Sequence, residues 1–107
     1  MQTKEVLAAL SALAQESRLA VFRLLVQAGP AGLAASKIAE ELDIAPSSLS
    51  FHLKELTHAG LLTSRHEGRF VIYSADMPTM NSLIGFLTEN CCGGIPCGPR
   101  NDKARSC

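Results

Sequence analysis

Tryptophan is absent from these 107 residues, and the aromatic complement is four phenylalanines and one tyrosine. A core with so few rings has to be built from leucine, alanine, valine and isoleucine, a balance that favours packed helices over an aromatic-rich sandwich. Net charge is absent as well, ten basic side chains standing against ten acidic ones. Phosphate binding usually leaves a basic footprint, so neutrality argues against a generally adhesive nucleic-acid binder and throws any DNA reading onto motif geometry and local charge. No apolar run approaches the ~20 residues of a membrane-spanning helix. The opening MQTKEVLAALSALAQESR has no basic stretch followed by an unbroken apolar core, so it does not read as a signal peptide. The expectation is a cytoplasmic protein without a membrane partner, in a compartment that keeps thiols reduced. A Gly-rich nucleotide loop, a Ser/His/Asp arrangement and an internal repeat are also missing, so no enzyme is expected.

What is present is helical periodicity, interrupted once. Val6, Leu7, Leu10, Leu13 and Ala14 form a stripe over residues 3–14. The next segment carries Leu19, Val21, Phe22, Leu24, Leu25 and Val26 around nearly its whole circumference, which predicts a central helix stopped by Gly29-Pro30. A short loop leads to SKIAEEL, with Ile38, Ala39 and Leu42 inward, and Asp43-Ile44-Ala45 makes a tight connection. PSSLSFHLKELTHAG then predicts a helix opened by Pro46, buried along Leu49, Leu53 and Leu56, and stopped by Gly60. The period changes in LLTSRHEGRFVIYSA, a hairpin signal centred on Glu67-Gly68. Met77, Met80, Leu83, Ile84 and Leu87 return to helical spacing in a last helix that runs to the cysteines and ends at Gly93-Gly94. A short helix, a tight turn and a longer helix make a helix-turn-helix unit, whose second helix enters the major groove.

In this order the residues resemble the ArsR/SmtB family of metal- and metalloid-responsive winged-helix repressors. The resemblance covers Leu10 to about Asn90 and is carried by ALAQESRLAVFRLL and APSSLSFHLKELTHAGLLTSRHEGRFVIYS. It implies a mainly helical winged helix-turn-helix with a small β-hairpin, working as a homodimer that binds operator DNA and releases it when an inducer binds. Residues 1–90 are then the DNA-binding and dimerisation domain, and 91–107 a cysteine-containing tail. Two inducer patterns of the family are missing: Ala34-Ala35-Ser36 stands where a Cys-x-Cys would, and Asp76-Met77-Pro78 where an Asp-x-His would. Some arsenic-responsive members carry an adjacent cysteine pair and a third cysteine after the last helix, and Cys91, Cys92 and Cys97 look like that version.

The thiols can be weighed chemically. Adjacent Cα atoms lie about 3.8 Å apart, short of the ~4.4–6.8 Å of an unstrained disulfide, so a Cys91–Cys92 bond is unsuited to a resting state. A pairing of either with Cys97 stays open as a redox switch. Structural zinc takes four ligands with short spacers, a poor fit to this cluster, although Cys107 could supply a fourth sulfur. A trivalent metalloid is satisfied by three thiolates, and soft ions select sulfur, so arsenite or antimonite is the expected inducer. Neighbours i and i+1 diverge on a regular helix, so such a site needs the helix to unwind near Cys92. An arsenate-reductase loop needs an arginine six positions after its cysteine, and Arg100 is at the wrong distance from both Cys92 and Cys97. A redox- or divalent-metal-responsive repressor, a protein-interaction module and a tail without function remain as alternatives.

On the DNA side, the face opposite Leu49, Leu53 and Leu56 carries Ser47, Ser48, Phe51, His52, Lys54 and Glu55. Hydroxyls and Lys54 suit phosphates, His52 a base edge or phosphate, and Phe51 a thymine methyl. His52 could equally fix the helix against its neighbour. Arg65, His66 and Arg69 flank the hairpin turn and suit phosphate or minor-groove contact. The stripes on the first and last helices exceed what one small core needs, so they are expected to pack across a twofold axis.

Overall fold

The computed structural model describes residues 1–94, so Cys97 and Cys107 lie outside the described residues. Five helices and three strands follow in order: α1 Thr3–Leu13, α2 Glu16–Ala28, a 3-10 turn Gly29–Ala31, β1 Leu33–Ala34, α3 Ala35–Leu42, α4 Pro46–His58, β2 Leu62–Glu67, β3 Phe70–Ala75 and α5 Met77–Leu87, with a final turn Cys91–Gly94. The sheet is antiparallel in the order β1-β3-β2. This is a winged helix-turn-helix.

Local chemistry sets the boundaries. Glu5 accepts the backbone N–H of Gln2 at 2.8 Å at the start of α1, and the Gln15 side chain accepts that of Arg18 at 2.8 Å at the start of α2. Each satisfies a donor that a helix start leaves without a partner. Asp43 takes a left-handed conformation (φ 53°) after α3, and the Ile44 N–H returns to the Ala39 carbonyl at 3.1 Å. That closes the α3–α4 turn, since aspartate tolerates this conformation better than most side chains. Pro46 opens α4 at a position where its missing N–H costs nothing.

The core is a cluster of aliphatic side chains with one aromatic ring, Phe22, beneath the helix-turn-helix: Val6, Ala9 and Ala12 from α1, Val21, Phe22 and Leu25 from α2, Ile38 from α3, Leu49, Leu53 and Leu56 from α4, then Leu61, Leu62 and Leu83. Among the described residues no polar or charged side chain is fully buried. The leucine stripe of α4 is therefore as the periodicity predicts.

Several expectations need correction. α2 buries only one side, because Leu19 and Val26 remain 45% and 39% exposed in the isolated chain. In α1, alanines 9 and 12 fill the close approach to its neighbours, while Leu7 and Leu10 of the predicted stripe face outward. The hairpin turn is Gly68-Arg69, one residue later than predicted: Glu67 still pairs with Phe70, and Gly68 supplies the positive φ of 63°. The loop after α2 contains the unpredicted strand β1, whose Leu33 and Ala34 pair with Tyr73 and Ile72. Finally, α5 ends at Leu87 and not at Gly93-Gly94; the Thr88 hydroxyl donates back to the Ile84 carbonyl at 2.8 Å and Asn90 turns left-handed at φ 58°.

Candidate nucleic-acid interface and thiol site

α4 is held by its leucines against α2 and α3, which leaves Ser47, Ser48, Phe51 and Lys54 exposed. These four present two hydroxyls, a cation and an aromatic ring that is 55% exposed, a set able to grip phosphate oxygens and touch a thymine methyl. His52 is half-buried. Its Nδ1 lies 3.5 Å from Arg18 Nη1, and its ring meets that of Phe51 edge-on with centroids 5.9 Å apart. Arg18 is itself fixed at the α1–α2 corner, donating from Nε to the Ala12 carbonyl at 2.7 Å. The histidine thus touches both the scaffold, at Arg18, and the outward ring of Phe51.

The wing brings His66 and Arg69 to its outer end, both exposed, with Phe70 beside them at 54% exposure. From the sequence Phe70 reads only as part of the hairpin's β-branched and aromatic run, not as a site residue. Arg65 is turned the other way. Its Nε donates to Glu67 Oε2 at 2.7 Å, Nη2 to the Ala31 carbonyl at 2.8 Å, and Nη1 to the Pro30 carbonyl and Ser74 Oγ, both at 3.4 Å. Arg65 therefore faces the turn after α2 and not the tip, although charge and spacing alone grouped it with Arg69.

The last helix points to the thiols. Asp76 caps α5 by accepting the Thr79 N–H at 3.1 Å. Past Leu87 the chain leaves helical geometry, and Cys91 and Cys92 fall on the turn, with Cys92 left-handed at φ 57° and Gly93 at φ 67°. The Cys91 N–H donates to the Thr88 carbonyl at 3.0 Å. Cys91 is half-buried and Cys92 exposed. Desolvation, followed by the charge of Cys91 and a hydrogen bond with it, holds the Cys92 thiol above its ordinary range. Among the described residues no group of three or more His, Cys, Asp or Glu side chains is assembled for a metal ion. The third predicted sulfur, Cys97, falls outside them. No described helix is long and apolar enough to cross a membrane.

A helix-turn-helix domain family matches residues 13–65. A Halobacterium salinarum protein that carries the provisional name of an arsenical resistance operon repressor is 40% identical over 68 residues, 64% of this chain; the chain spans only about half of that protein, 52% of its length. A Bacillus subtilis helix-turn-helix transcriptional regulator of uncharacterised role is 35% identical over 77 residues, covering 71% of this chain and 76% of that protein. Among solved structures, an ArsR-like regulator from Rhodococcus superposes with a TM-score of 0.70 at 28% identity, over 78% of this chain and 76% of its own. A homodimeric winged helix-turn-helix DNA-binding domain from Mycobacterium bovis gives 0.65 at 25% identity, over 86% and 85%.

Proposed function

The chain belongs to the ArsR family of winged helix-turn-helix transcriptional regulators, and from that premise we propose that it is a metalloid-responsive repressor: a homodimer that binds operator DNA and releases it when trivalent arsenic or antimony is captured by Cys91, Cys92 and Cys97. Its relatives are transcription regulators, which act by binding and not by catalysis. The observation that carries the metalloid reading is the pair of adjacent thiols just beyond α5, where Cys92 takes a left-handed, non-helical conformation. On a helix the two sulfurs would diverge; on this turn they are released from that constraint. The provisional name of the haloarchaeal relative points the same way.

The capture step balances without redox chemistry. Arsenite at neutral pH is arsenous acid, and three thiols replace its three hydroxyls. Three As–S bonds form, three As–O bonds break, and each thiol proton leaves with a hydroxyl as water. Sulfur is the soft donor such an ion selects. Drawing a third thiol onto the pair would remodel the chain that follows α5, and a coupling of about 1–3 kcal/mol between inducer and DNA is the usual size for such an effect.

The dimer reading is supported by an outward apolar strip. Leu7 and Leu10 on α1, and Ile84 and Leu87 on α5, are 60%, 39%, 51% and 58% exposed in the single chain. Two helices in mutual contact that both leave leucine or isoleucine outward are suited to a second copy. In DNA recognition, Ser47, Ser48, Phe51, His52 and Lys54 serve the major groove, and His66 and Arg69 the phosphates beside it.

The test is a gel-shift titration on a palindromic promoter fragment with and without arsenite, joined to X-ray absorption on the arsenite-treated protein. The expected result is a shift that arsenite reverses, with three sulfur neighbours around arsenic. A shift insensitive to arsenite would overturn the inducer, and no shift at all would overturn the repressor. Release by peroxide alone would establish the redox alternative.

A further inference from the structure

We propose that Arg65 is a positioning residue for DNA binding, a strap that fixes the wing to the turn after α2, and that it makes no phosphate contact of its own. The inference rests on the DNA-binding reading above. A guanidinium offers five N–H donors, and all three of its nitrogens meet acceptors: Nε meets Glu67, Nη2 meets Ala31, and Nη1 meets Pro30 and Ser74. Ser74 Oγ also donates to the Pro30 carbonyl at 3.3 Å, which closes the strap from the β3 side. The arginine thus joins three segments: the turn Gly29–Ala31, the end of β2 at Glu67 and the end of β3 at Ser74.

The wing needs such a fastening. Of β2 only Leu62 is buried, and β1 supports β3 through two residue pairs alone. β3 is half-buried from Val71 to Ala75, with Tyr73 and Ala75 against the core, so the core holds the wing through β3 and leaves β2 beyond Leu62 and the tip without apolar support. The strap holds that part and so decides where His66 and Arg69 stand relative to α4. Glu67 holds the planar fork in register, and the two backbone carbonyls accept from its far edge. An ammonium has neither the planarity nor the spread to span these acceptors. Arginine is therefore required here for geometry, with its charge already matched by Glu67 at 2.7 Å.

The experiment compares full-length Arg65→Lys, Arg65→Ala and Arg69→Ala with the parent protein. Affinity for the palindromic promoter fragment is measured across a salt series, and amide hydrogen exchange is measured on the free protein. Both Arg65 variants should bind about tenfold more weakly with an unchanged salt slope, and β2–β3 amides should exchange about tenfold faster while those of α2 and α4 stay as in the parent. Arg69→Ala should lower the slope by about one per subunit, the signature of a lost phosphate contact, without altering exchange. Three results would each overturn the strap: Arg65→Lys binding as the parent does, Arg65→Ala lowering the slope as Arg69→Ala does, or wing exchange unchanged. If Arg65→Ala does not fold, Arg65→Lys carries the test. A parent protein that shifts no DNA would sink the DNA reading, and the exchange arm would still judge the strap.

Discussion

Leu53 and Ser47 sit on one helix, yet substitutions at the two should fail in different ways. Leu53 is 2% exposed, so Leu53→Ala should cost about 2–5 kcal/mol of stability in urea denaturation, the loss expected for a truncated core leucine. Ser47→Ala and Ser48→Ala combined with Arg69→Ala should leave that transition in place and weaken operator binding, because all three side chains lie outside the core. If the triple variant shifts DNA as tightly as the parent, the recognition face is wrongly drawn. The cysteines allow the same dissection. Serine at Cys91, Cys92 or Cys97 should preserve repression and abolish full release by arsenite, whereas Cys107→Ser should respond as the parent, since a pyramidal metalloid has three positions. Operator occupancy against arsenite concentration for the four variants decides it; normal release by the first three would sink the site. Protonation offers a further discriminator. The Cys92 thiol is held above its ordinary range, so it is protonated through neutral pH, and exchange of thiols for arsenous hydroxyls is proton-neutral. Arsenite affinity should then stay flat between about pH 6 and 8, while zinc affinity, which requires proton release, should climb. An arsenite affinity that climbs in parallel with zinc would contradict the neutral-thiol exchange.

At the level of elements, Gly32 decides whether β1 can meet the wing. Its φ is +67°, and a Cβ there would run into the Tyr73 carbonyl oxygen and stand 2.6 Å from Ser74 Oγ. Gly32→Ala should cost roughly 2–4 kcal/mol, combining left-handed strain with a backbone collision. Gly29 has a similar φ of +75° but open space around its Cβ position, so Gly29→Ala should cost the backbone strain alone, about 1–3 kcal/mol, and less than Gly32→Ala. Equal costs in urea denaturation would show that the close approach to β3 is unimportant. This contrast also explains what could be read in advance. α3, α4 and the hairpin were legible because leucine spacing, Pro46 and a change of period are local signals. β1 was not, since two residues carry no periodicity and become a strand only by pairing with Ile72 and Tyr73. The end of α5 was hidden too: its stop lies in Thr88 bonding back and Asn90 turning over, while the visible glycines come later. Of the site, the outward residues of α4 followed directly from its leucine stripe. The engagement of Arg65 with carbonyls 34 and 35 residues away had no local trace.

For the molecule as a whole, the apolar strip on α1 and α5 gives the sharpest test. Leu7→Glu with Ile84→Glu should convert the dimer to a monomer in light scattering and abolish the operator shift, while the helix-turn-helix core keeps its helical circular dichroism, since neither residue belongs to that core. A dimer that survives both charges would send the interface elsewhere on the surface. The strip residues Leu7, Leu10, Ile84 and Leu87 are none of those assigned to the reading face of α4 and the wing, and that division has a genetic consequence. A copy with an intact strip and a ruined reading face would still find partners, and random pairing at equal expression leaves only about a quarter of dimers with two working halves. Alleles damaged on α4 or the wing should therefore be dominant over the parent gene, whereas alleles damaged on the strip should be recessive.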